Sequence, residues 1–263
     1  MNGNDNQGTD QSVYRNETSA IAVSEYEGEW ISLTQDDDDV ITFELVSSVV
    51  YHREFRADLE RACRLIRRVD PSVVVLTGEP DAFVIDSASA GDDAAEADWE
   101  LQATFDAVAT LEVPVIAALV GDVYGYGVAL SLCADIRVGD EGGQYGCVEM
   151  YQDSLPAGGL TQRLTATVGQ ARAQEFLLSG GPYDAPTMGN WGLLNYVHPA
   201  EDVVESAHSL ATEFADRPTV AYECMKRALR AAAPASEPEF GFGVIDPASM
   251  QPSTLLSGDN DLA

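Results

Sequence analysis

The segment from residue 114 to residue 164 constrains the fold of this chain more than any other part of it. It opens with the apolar run PVIAAL, passes through the glycine-punctuated turn VGDVYGYG into a short apolar stretch, and reaches a second run, ADIRV, at residues 134–138. A continuous apolar run of this kind is typical of a strand buried on both faces of a parallel sheet. The segment therefore predicts a strand, a tight turn, a short helix and a second strand, followed by a loop that carries Glu149 among uncharged neighbours.

Strand and helix patterns alternate before this segment, and helical patterns dominate after it. Strands are predicted at residues 40–45 and 73–76, and helices at 53–69 and 94–110. From Gly159 onward, five helical stretches follow, and Gly169 and Gly180 fit helix C-termini. This order predicts an α/β core with an α-helical C-terminal region. We assign residues 1–30 to a disordered polar N-terminal tail, 31–200 to the core, 201–233 to the helical region and 234–263 to an irregular tail.

The charge of the chain is far from balanced. Asp and Glu number 44 against 14 Lys and Arg, which gives a formal net charge of −30. Such a surface repels itself unless salt screens it, and the Debye length falls to roughly 3 Å at molar salt. We interpret the acidity as a halophilic adaptation to a salty cytosol, with an acidic interaction surface as the alternative. It argues against nucleic acid and anionic membranes as partners.

The cysteines and histidines show no pattern of a metal site. Cys63, Cys133, Cys147 and Cys224 lack metal-type spacing and are expected to be reduced, mostly buried thiols. The three histidines are scattered along the chain. No apolar run approaches the roughly 18 residues that span a bilayer, and no apolar signal region follows the first residues. We therefore expect a cytoplasmic protein without a bound metal.

Five segments together resemble the crotonase superfamily, the enoyl-CoA hydratase/isomerase family. They occur in the order and at the spacing typical of that family across about residues 40–230. They are LTGEPDAF at 76–83, PVIAALVGDVYGYGVALSLCADIRV at 114–138, YGCVE at 145–149, LPAGGLTQRL at 155–164 and NWGLLNYVHP at 190–199. One of them alone is a weak signal, whereas the set makes a chance match improbable.

The resemblance implies the fold and the substrate class. It implies a crotonase-type spiral of ββα units and assembly into a homotrimer or hexamer through the C-terminal helices, so that residues 201–233 become a trimerisation region. It also implies an acyl-CoA thioester as substrate, as in fatty acid metabolism. Coenzyme A is then part of the substrate, and no separate cofactor is expected.

Two backbone N–H groups that hold the thioester oxygen are the shared device of the family. Such donors act where negative charge develops in the transition state. The resemblance places the first donor at Ser87, where Asp86 replaces the usual glycine, and puts Ala88 and Ser89 along the thioester. It places the second at Tyr126, directly after Gly125. The alternative for this second turn is a tight helix start that binds no ligand.

The family's acid/base residues are only partly present. A hydratase of this family uses two glutamates, and the first of these positions is Ala129 here, whereas the second is Glu149. An apolar pocket formed by Val148, Met150 and Leu155 would raise the pKa of Glu149. One base that removes a proton and returns it elsewhere suits isomerisation better than hydration. The residues left open as a second proton carrier are Tyr126, Asp86 and Asp153.

The segment expected to bind the CoA phosphates also departs from the family. Residues 46–55 read VSSVVYHREF and lack the usual loop motif, which leaves His52, Arg53 and Arg56 as possible cations. A catalytically silent binding or assembly protein of the same fold therefore stays as an alternative to an enzyme. Another reaction of the superfamily, such as dehalogenation, thioester hydrolysis or ring closure, is a weaker one.

Overall fold

The structure is a computed structural model, and it describes residues 26–46, 53–79, 83, 94–151 and 156–232. The strands are β1 (Tyr26–Glu27), β2 (Ile31–Gln35), β3 (Val40–Leu45), β4 (Val73–Thr77), β5 (Val115–Leu119), β6 (Val123–Tyr124), β7 (Ile136–Asp140), β8 (Gln144–Gly146), β9 (Tyr183–Asp184) and β10 (Tyr196–His198). The helices are α1 (Arg53–Val69), α2 (Ala94–Ala109), α3 (Tyr126–Ser131), α4 (Leu160–Val168), α5 (Gln170–Ser179), α6 (Ala185–Trp191), α7 (Ala200–Ala215) and α8 (Thr219–Ala232). A 3₁₀ helix covers Val148–Tyr151.

The main sheet has seven strands in the order β1-β2-β3-β4-β5-β7-β10. The first three pair antiparallel, and β3, β4, β5, β7 and β10 run parallel to one another. Every residue of β4 and β5 is buried. This is the pattern that continuous apolar runs predict for central parallel strands with helices on both faces.

Alternate residues of the central strands belong to two different cores. Val74 and Leu76 of β4 lie in the larger core, which also contains residues of α1, α2 and α3. Val73 and Val75 lie in a smaller core on the opposite face, which α7 covers with Val203, Ala207 and Ala211. Since strand side chains alternate between faces, a single apolar strand supplies both cores.

Helix α1 confirms the buried stripe predicted from its sequence. The predicted bounds agree with the structure, and Phe55, Leu59, Cys63 and Ile66 are all at most 1% exposed. Residues recurring at intervals of three and four lie on one face of an α-helix, which explains why the stripe is buried as a unit.

The shortest strands were not predicted from the sequence. β6, β8 and β9 form a separate three-stranded sheet, with β6 parallel and β9 antiparallel to β8. β1 lies inside the 1–30 segment for which the sequence predicts a tail, and it pairs with β2. Strands of two or three residues are too short to show a periodicity, so only their pairing reveals them. Residues 1–25 of the predicted N-terminal tail and the whole 234–263 tail lie outside the described residues.

Glycines end helices α4 and α5, and a capping side chain begins α6. Gly169 and Gly180, at the ends of α4 and α5, have φ angles of 80° and 74°, which favour glycine. At the start of α6 the Asp184 carboxylate accepts a hydrogen bond from the Thr187 amide at 2.9 Å. Both glycine assignments made from the sequence are thereby confirmed.

The last helix, α8, is attached to the core by its cations. The Lys226 ammonium donates to the Val113 carbonyl at 2.7 Å and to the Asp135 carboxylate at 2.5 Å. The Arg230 guanidinium donates to the Leu111 carbonyl at 2.6 Å. α8 therefore packs over the connection between α2 and β5.

All four cysteines lie in the described residues and are free thiols. Cys63, Cys133 and Cys147 are buried, and Cys224 is exposed. Burial raises the pKa of the Cys63 thiol to about 12 and that of the Cys133 thiol to about 11. None of the described helices combines the length and the apolar character that crossing a bilayer requires.

Candidate active site

The small sheet of β6, β8 and β9 brings the glycine turn beside the chain that leads to Glu149. β6 and β8 run parallel, with Tyr124 paired to Gly146. Directly after this pair, the Gly125 amide donates a hydrogen bond to the Gly146 carbonyl at 3.0 Å. The start of α3 and the residues that precede Glu149 therefore leave adjacent strands in the same direction.

The turn into α3 depends on glycine at position 125. Gly125 has φ 50° and ψ −117°, a conformation that a residue with a Cβ atom rarely adopts. Its carbonyl accepts a hydrogen bond from the Ala129 amide at 3.1 Å, so the first turn of α3 starts here. Tyr126 follows as the first helical residue, and its side chain is 3% exposed and belongs to the larger core. The donor role of the Tyr126 N–H group stays a prediction.

Glu149 is a buried residue, not a solvated loop carboxylate. It lies in the 3₁₀ helix Val148–Tyr151 and is 0% exposed. Carboxylates are almost never fully buried unless they are paired or hydrogen-bonded, because burial removes their hydration. Of the apolar neighbours predicted for it, Val148 is half-buried, whereas Leu155 and the Met150 side chain lie outside the described residues.

One hydrogen-bond partner of Glu149 is the thiol of Cys147. The Cys147 Sγ atom lies 3.1 Å from the Glu149 Oε2 atom, and Cys147 is itself 0% exposed. The Cys147 amide donates to the Gly180 carbonyl at 2.9 Å, which ties this part of the chain to the end of α5. The two side chains are therefore buried together at a fixed position.

Ala129, at the position of the family's first glutamate, belongs to the larger hydrophobic core. It is 0% exposed. A Cβ atom placed on Gly158 would lie 3.3 Å from the Ala129 Cβ atom and 2.8 Å from the Phe105 ring. Gly158 also has a φ of 67°, so glycine is required there for conformation as well as for space. Ala129, Gly158 and Phe105 thus form one close-packed apolar contact.

The Gly158–Gly159 turn is held by an arginine. The Arg163 guanidinium donates to the Gly158 carbonyl at 2.5 Å and forms an ion pair with Asp106 of α2. Burial raises the pKa of the Asp106 carboxyl, and the charge of Arg163 opposes that rise. Arg163 therefore connects α2 with the turn that packs against Ala129.

Several predicted site residues lie outside the described residues. The segment with the first expected N–H donor follows β4, whose last residue, Thr77, is buried next to β5. The residues concerned are Asp86, Ser87, Ala88 and Ser89, together with Asp153 as an alternative proton carrier. Their roles stay predictions.

Of the three cations expected near the CoA phosphates, the structure describes the side chain of Arg56. The Arg56 guanidinium forms an ion pair with the Glu100 carboxylate of α2 at 2.5 Å, and its side chain is 15% exposed. This contact makes Arg56 a link between α1 and α2. His52 and the Arg53 side chain lie outside the described residues. In the part of the chain that is described, no three histidine, cysteine or acidic side chains converge as metal ligands do.

Glu149 and Ala129 were identifiable as site positions from the sequence, whereas the placement of Cys147, Phe105 and Arg163 near them was not. Cys147 stands two positions before Glu149, so the closeness of the two residues along the chain was the available signal. Phe105 and Arg163 are distant from Ala129 in the sequence, and only the packing of α2 and α4 brings them near it.

Comparison with known proteins places this geometry in a family. The family model described as enoyl-CoA hydratase/isomerase matches residues 52–240. A Mycobacterium tuberculosis protein named probable enoyl-CoA hydratase EchA17 is 34% identical over 183 residues, which are 65% of this chain and 68% of the relative. A Mycobacterium avium protein of the same name is 32% identical over 183 residues, covering 65% and 69% of the two chains.

A solved structure extends the comparison to the fold. The crystal structure of enoyl-CoA hydratase from Bacillus anthracis superimposes with a TM-score of 0.72 at 27% identity, covering 77% of this chain and 83% of the other. The predicted crotonase-type α/β fold is thereby confirmed. The matches also support the expectation of an enzyme of the hydratase/isomerase type. The chain belongs to the enoyl-CoA hydratase/isomerase family.

Proposed function

We propose that this protein is an acyl-CoA enzyme that moves one proton through Glu149 while two backbone amides stabilise a thioester enolate. The observation that carries the proposal is the full burial of Glu149, which lies three residues after Gly146, the residue whose carbonyl is bonded to the glycine turn that begins α3. A buried carboxylate is unfavourable for folding, and proteins often retain such groups where they are used. The substrate class, an acyl-CoA thioester, follows from the family.

The proposed reaction begins and ends with the same proton. Glu149 removes a proton from the carbon next to the thioester carbonyl. The electron pair of that C–H bond forms a double bond to the carbonyl carbon, and the π pair of the carbonyl moves onto its oxygen. The N–H groups of Tyr126 and Ser87 stabilise the negative oxygen as it forms, which lowers the barrier of this step. Protonated Glu149 then returns the proton to a different carbon, so that the double bond has shifted and the enzyme is unchanged.

The packing around Ala129 supports isomerisation over hydration. Hydration requires a second group that activates water, and this position has only a buried methyl side chain, near Gly158 and Phe105. An apolar contact of this kind neither orients water nor accepts its proton. A single carboxylate is sufficient for a double-bond shift.

The test compares wild type with Glu149→Gln in 3-enoyl-CoA isomerisation and crotonyl-CoA hydration, both assayed in high salt because of the large net charge. Glutamine keeps the size of the side chain but does not accept a proton, so we expect kcat for isomerisation to fall by roughly 100-fold or more. Glu201→Gln, an exposed substitution on α7, is the matched control and should keep wild-type activity. Isomerisation that is unaffected by Glu149→Gln would remove this residue from the mechanism.

A catalytically silent binding or assembly protein of the same fold is the second candidate. The Arg56–Glu100 ion pair favours it, because a paired guanidinium is less available to the CoA phosphates. Calorimetric titration of an acyl-CoA ester in molar salt distinguishes the candidates. Micromolar binding supports the enzyme, and the absence of binding heat supports an assembly protein.

We also infer that the protein forms a homotrimer or hexamer through α8. Val220, Met225 and Leu229 are 63%, 52% and 71% exposed, and Cys224 is exposed as well, so α8 presents several apolar side chains at the surface of the subunit. Lys226 attaches the same helix to the core. Sedimentation equilibrium should give a trimer or hexamer for wild type and monomers for the Met225→Glu, Leu229→Glu double variant. A monomeric wild-type protein would contradict this assembly.

A further inference from the structure

Cys147 and Glu149 form a buried pair, of which the proposed chemistry uses only Glu149. The Sγ atom lies 3.1 Å from Oε2, and both residues are 0% exposed. At this distance a thiol donates a hydrogen bond to a carboxylate, although S–H is a weaker donor than O–H or N–H. The pair is therefore a contact with directional character in addition to its packing.

The backbone around Cys147 holds the thiol in place. The Cys147 amide donates to the Gly180 carbonyl, and a Cβ atom placed on Gly146 would lie only 2.7 Å from that same carbonyl oxygen. On the other side, a Cβ atom placed on Gly181 would lie 2.9 Å from the Tyr145 carbonyl oxygen, and Gly181 has a φ of 81°. Two chain segments meet here with no room for side chains, so the donor sits on a rigid support.

The chemical nature of the donor matters for a residue that must exchange a proton. A lysine or arginine partner would hold a carboxylate strongly in its charged form. A neutral thiol orients the carboxylate with a weaker hold on its charge. An orienting group of this kind suits a carboxylate that has to be charged in one step and protonated in the next.

We propose that Cys147 is a positioning residue for Glu149, and that its thiol fixes the orientation of the carboxylate by donating a hydrogen bond to Oε2. The inference rests on the proposed role of Glu149 as the proton carrier. Cys147 itself takes and gives no proton in the reaction. It acts by keeping the carboxylate in the geometry from which proton transfer occurs.

The kinetic test uses Cys147→Ala, which removes the donor, and Cys147→Ser, which keeps a donor. Loss of a hydrogen bond to a charged group should lower kcat for isomerisation roughly tenfold in Cys147→Ala, with little change in KM. Cys147→Ser should stay within about threefold of wild type, since a hydroxyl also donates to a carboxylate. Cys63→Ala, which removes a buried thiol from α1, is the matched packing control and should leave kcat unchanged.

The pH profile separates positioning from packing. A donor to the carboxylate favours its charged form, so the acid limb of kcat/KM should move to higher pH by roughly half a pH unit in Cys147→Ala and return in Cys147→Ser. A loss of packing alone, as in Cys63→Ala, should lower thermal stability without shifting the acid limb of the kcat/KM profile. Equal profiles for Cys147→Ala and wild type, or for Cys147→Ala and Cys147→Ser, would overturn the proposal.

An infrared measurement tests the same contact without any assay. The S–H stretch of Cys147, identified as the band lost in Cys147→Ala, should lie at lower frequency than that of Cys63, because a hydrogen bond to a carboxylate weakens the S–H bond. It should move to higher frequency in Glu149→Gln, where the acceptor is neutral. If the frequency of this band is the same in wild type and in Glu149→Gln, the hydrogen bond is refuted. Failure of Glu149→Gln to reduce activity, with the band shift present, refutes the proposed function and not the contact.

Discussion

Lys226 and Glu149 are both ionisable side chains buried in this fold, and their surroundings differ. Lys226, the single lysine of the chain, is 8% exposed and bonded to a carboxylate, Asp135, and to the Val113 carbonyl. Glu149 is 0% exposed and has a neutral thiol, Cys147, among its contacts. The charge of Lys226 is matched by an opposite charge, whereas Glu149 has an uncharged donor among its hydrogen-bond partners.

The different surroundings of Lys226 and Glu149 suit different roles. An ion pair with a carbonyl bond compensates the loss of hydration and fastens α8 to the core, which is a structural task. A carboxylate that accepts a hydrogen bond from a thiol suits the proton transfer that we propose for Glu149. We therefore expect substitutions in the Lys226 region to change stability, and those in the Glu149 region to change activity.

The largest effect should come from Glu149→Gln and should appear in activity alone. Beyond the loss of isomerase activity already described, the free energy of unfolding should equal that of wild type or exceed it by up to about 1 kcal/mol, because a buried charge is removed. Chemical denaturation in high salt measures this. A loss of several kcal/mol would show that Glu149 is structural and would break the comparison.

Lys226→Met should lower stability and leave activity nearly unchanged. It leaves the partly buried Asp135 carboxylate and the Val113 carbonyl without the ammonium, which should lower the free energy of unfolding by about 2 kcal/mol, reduced for the partial exposure of Asp135. The isomerase kcat of the folded protein should stay within about twofold of wild type. Arg227→Met is the control on the same helix, since its ion pair with Glu223 is exposed and should contribute less than about 0.5 kcal/mol.

The stability contribution of Lys226 should depend on pH in the alkaline range. Burial lowers the pKa of Lys226 below its ordinary value of 10.5, and Asp135 opposes that change. Between the folded pKa and 10.5 the unfolded chain binds more protons, so the contribution of Lys226 to stability rises with pH in that window. The stability difference between wild type and Lys226→Met should therefore grow as the pH approaches 10.5. A difference that shrinks over this range would contradict the direction of the shift.

Tyr145→Phe should produce the smallest effect. Tyr145, in β8 just before Cys147, is 1% exposed, and its hydroxyl has no hydrogen-bond partner among the described residues. Removing a buried hydroxyl of this kind should leave the free energy of unfolding unchanged or raise it by up to about 1 kcal/mol. Thermal unfolding measures the change. A clear loss of stability would mean that this hydroxyl is bonded in the native protein.

Much of the fold was predictable from the sequence because long periodic segments depend on local pattern. The bounds of α1 and β3 were predicted without error, and those of α4 and α8 to within a residue. β6, β8 and β9 were not predicted, since two or three residues carry too little pattern. These short strands are the ones that bring the glycine turn beside the chain leading to Glu149.

The candidate site was predicted in part for the same reason. Gly125 and Glu149 stand in motifs that the family resemblance identifies, and the structure places their segments side by side. The burial of Glu149, the hydrogen bond from Cys147 and the contact of Phe105 with Gly158 depend on which surfaces meet. These contacts cannot be predicted from a local sequence pattern.

The sequence by itself determined the family, the order of the helices and of the central strands β3, β4, β5 and β7, and the types of residue available for chemistry. These properties follow from local backbone preference and from motifs that are continuous along the chain. The tertiary structure alone decided that Glu149 is buried with a thiol and that Lys226 is buried with a carboxylate. Burial and pairing are properties of surfaces brought together from distant parts of the chain, and they set the free energy of a charge more strongly than its neighbours in sequence do.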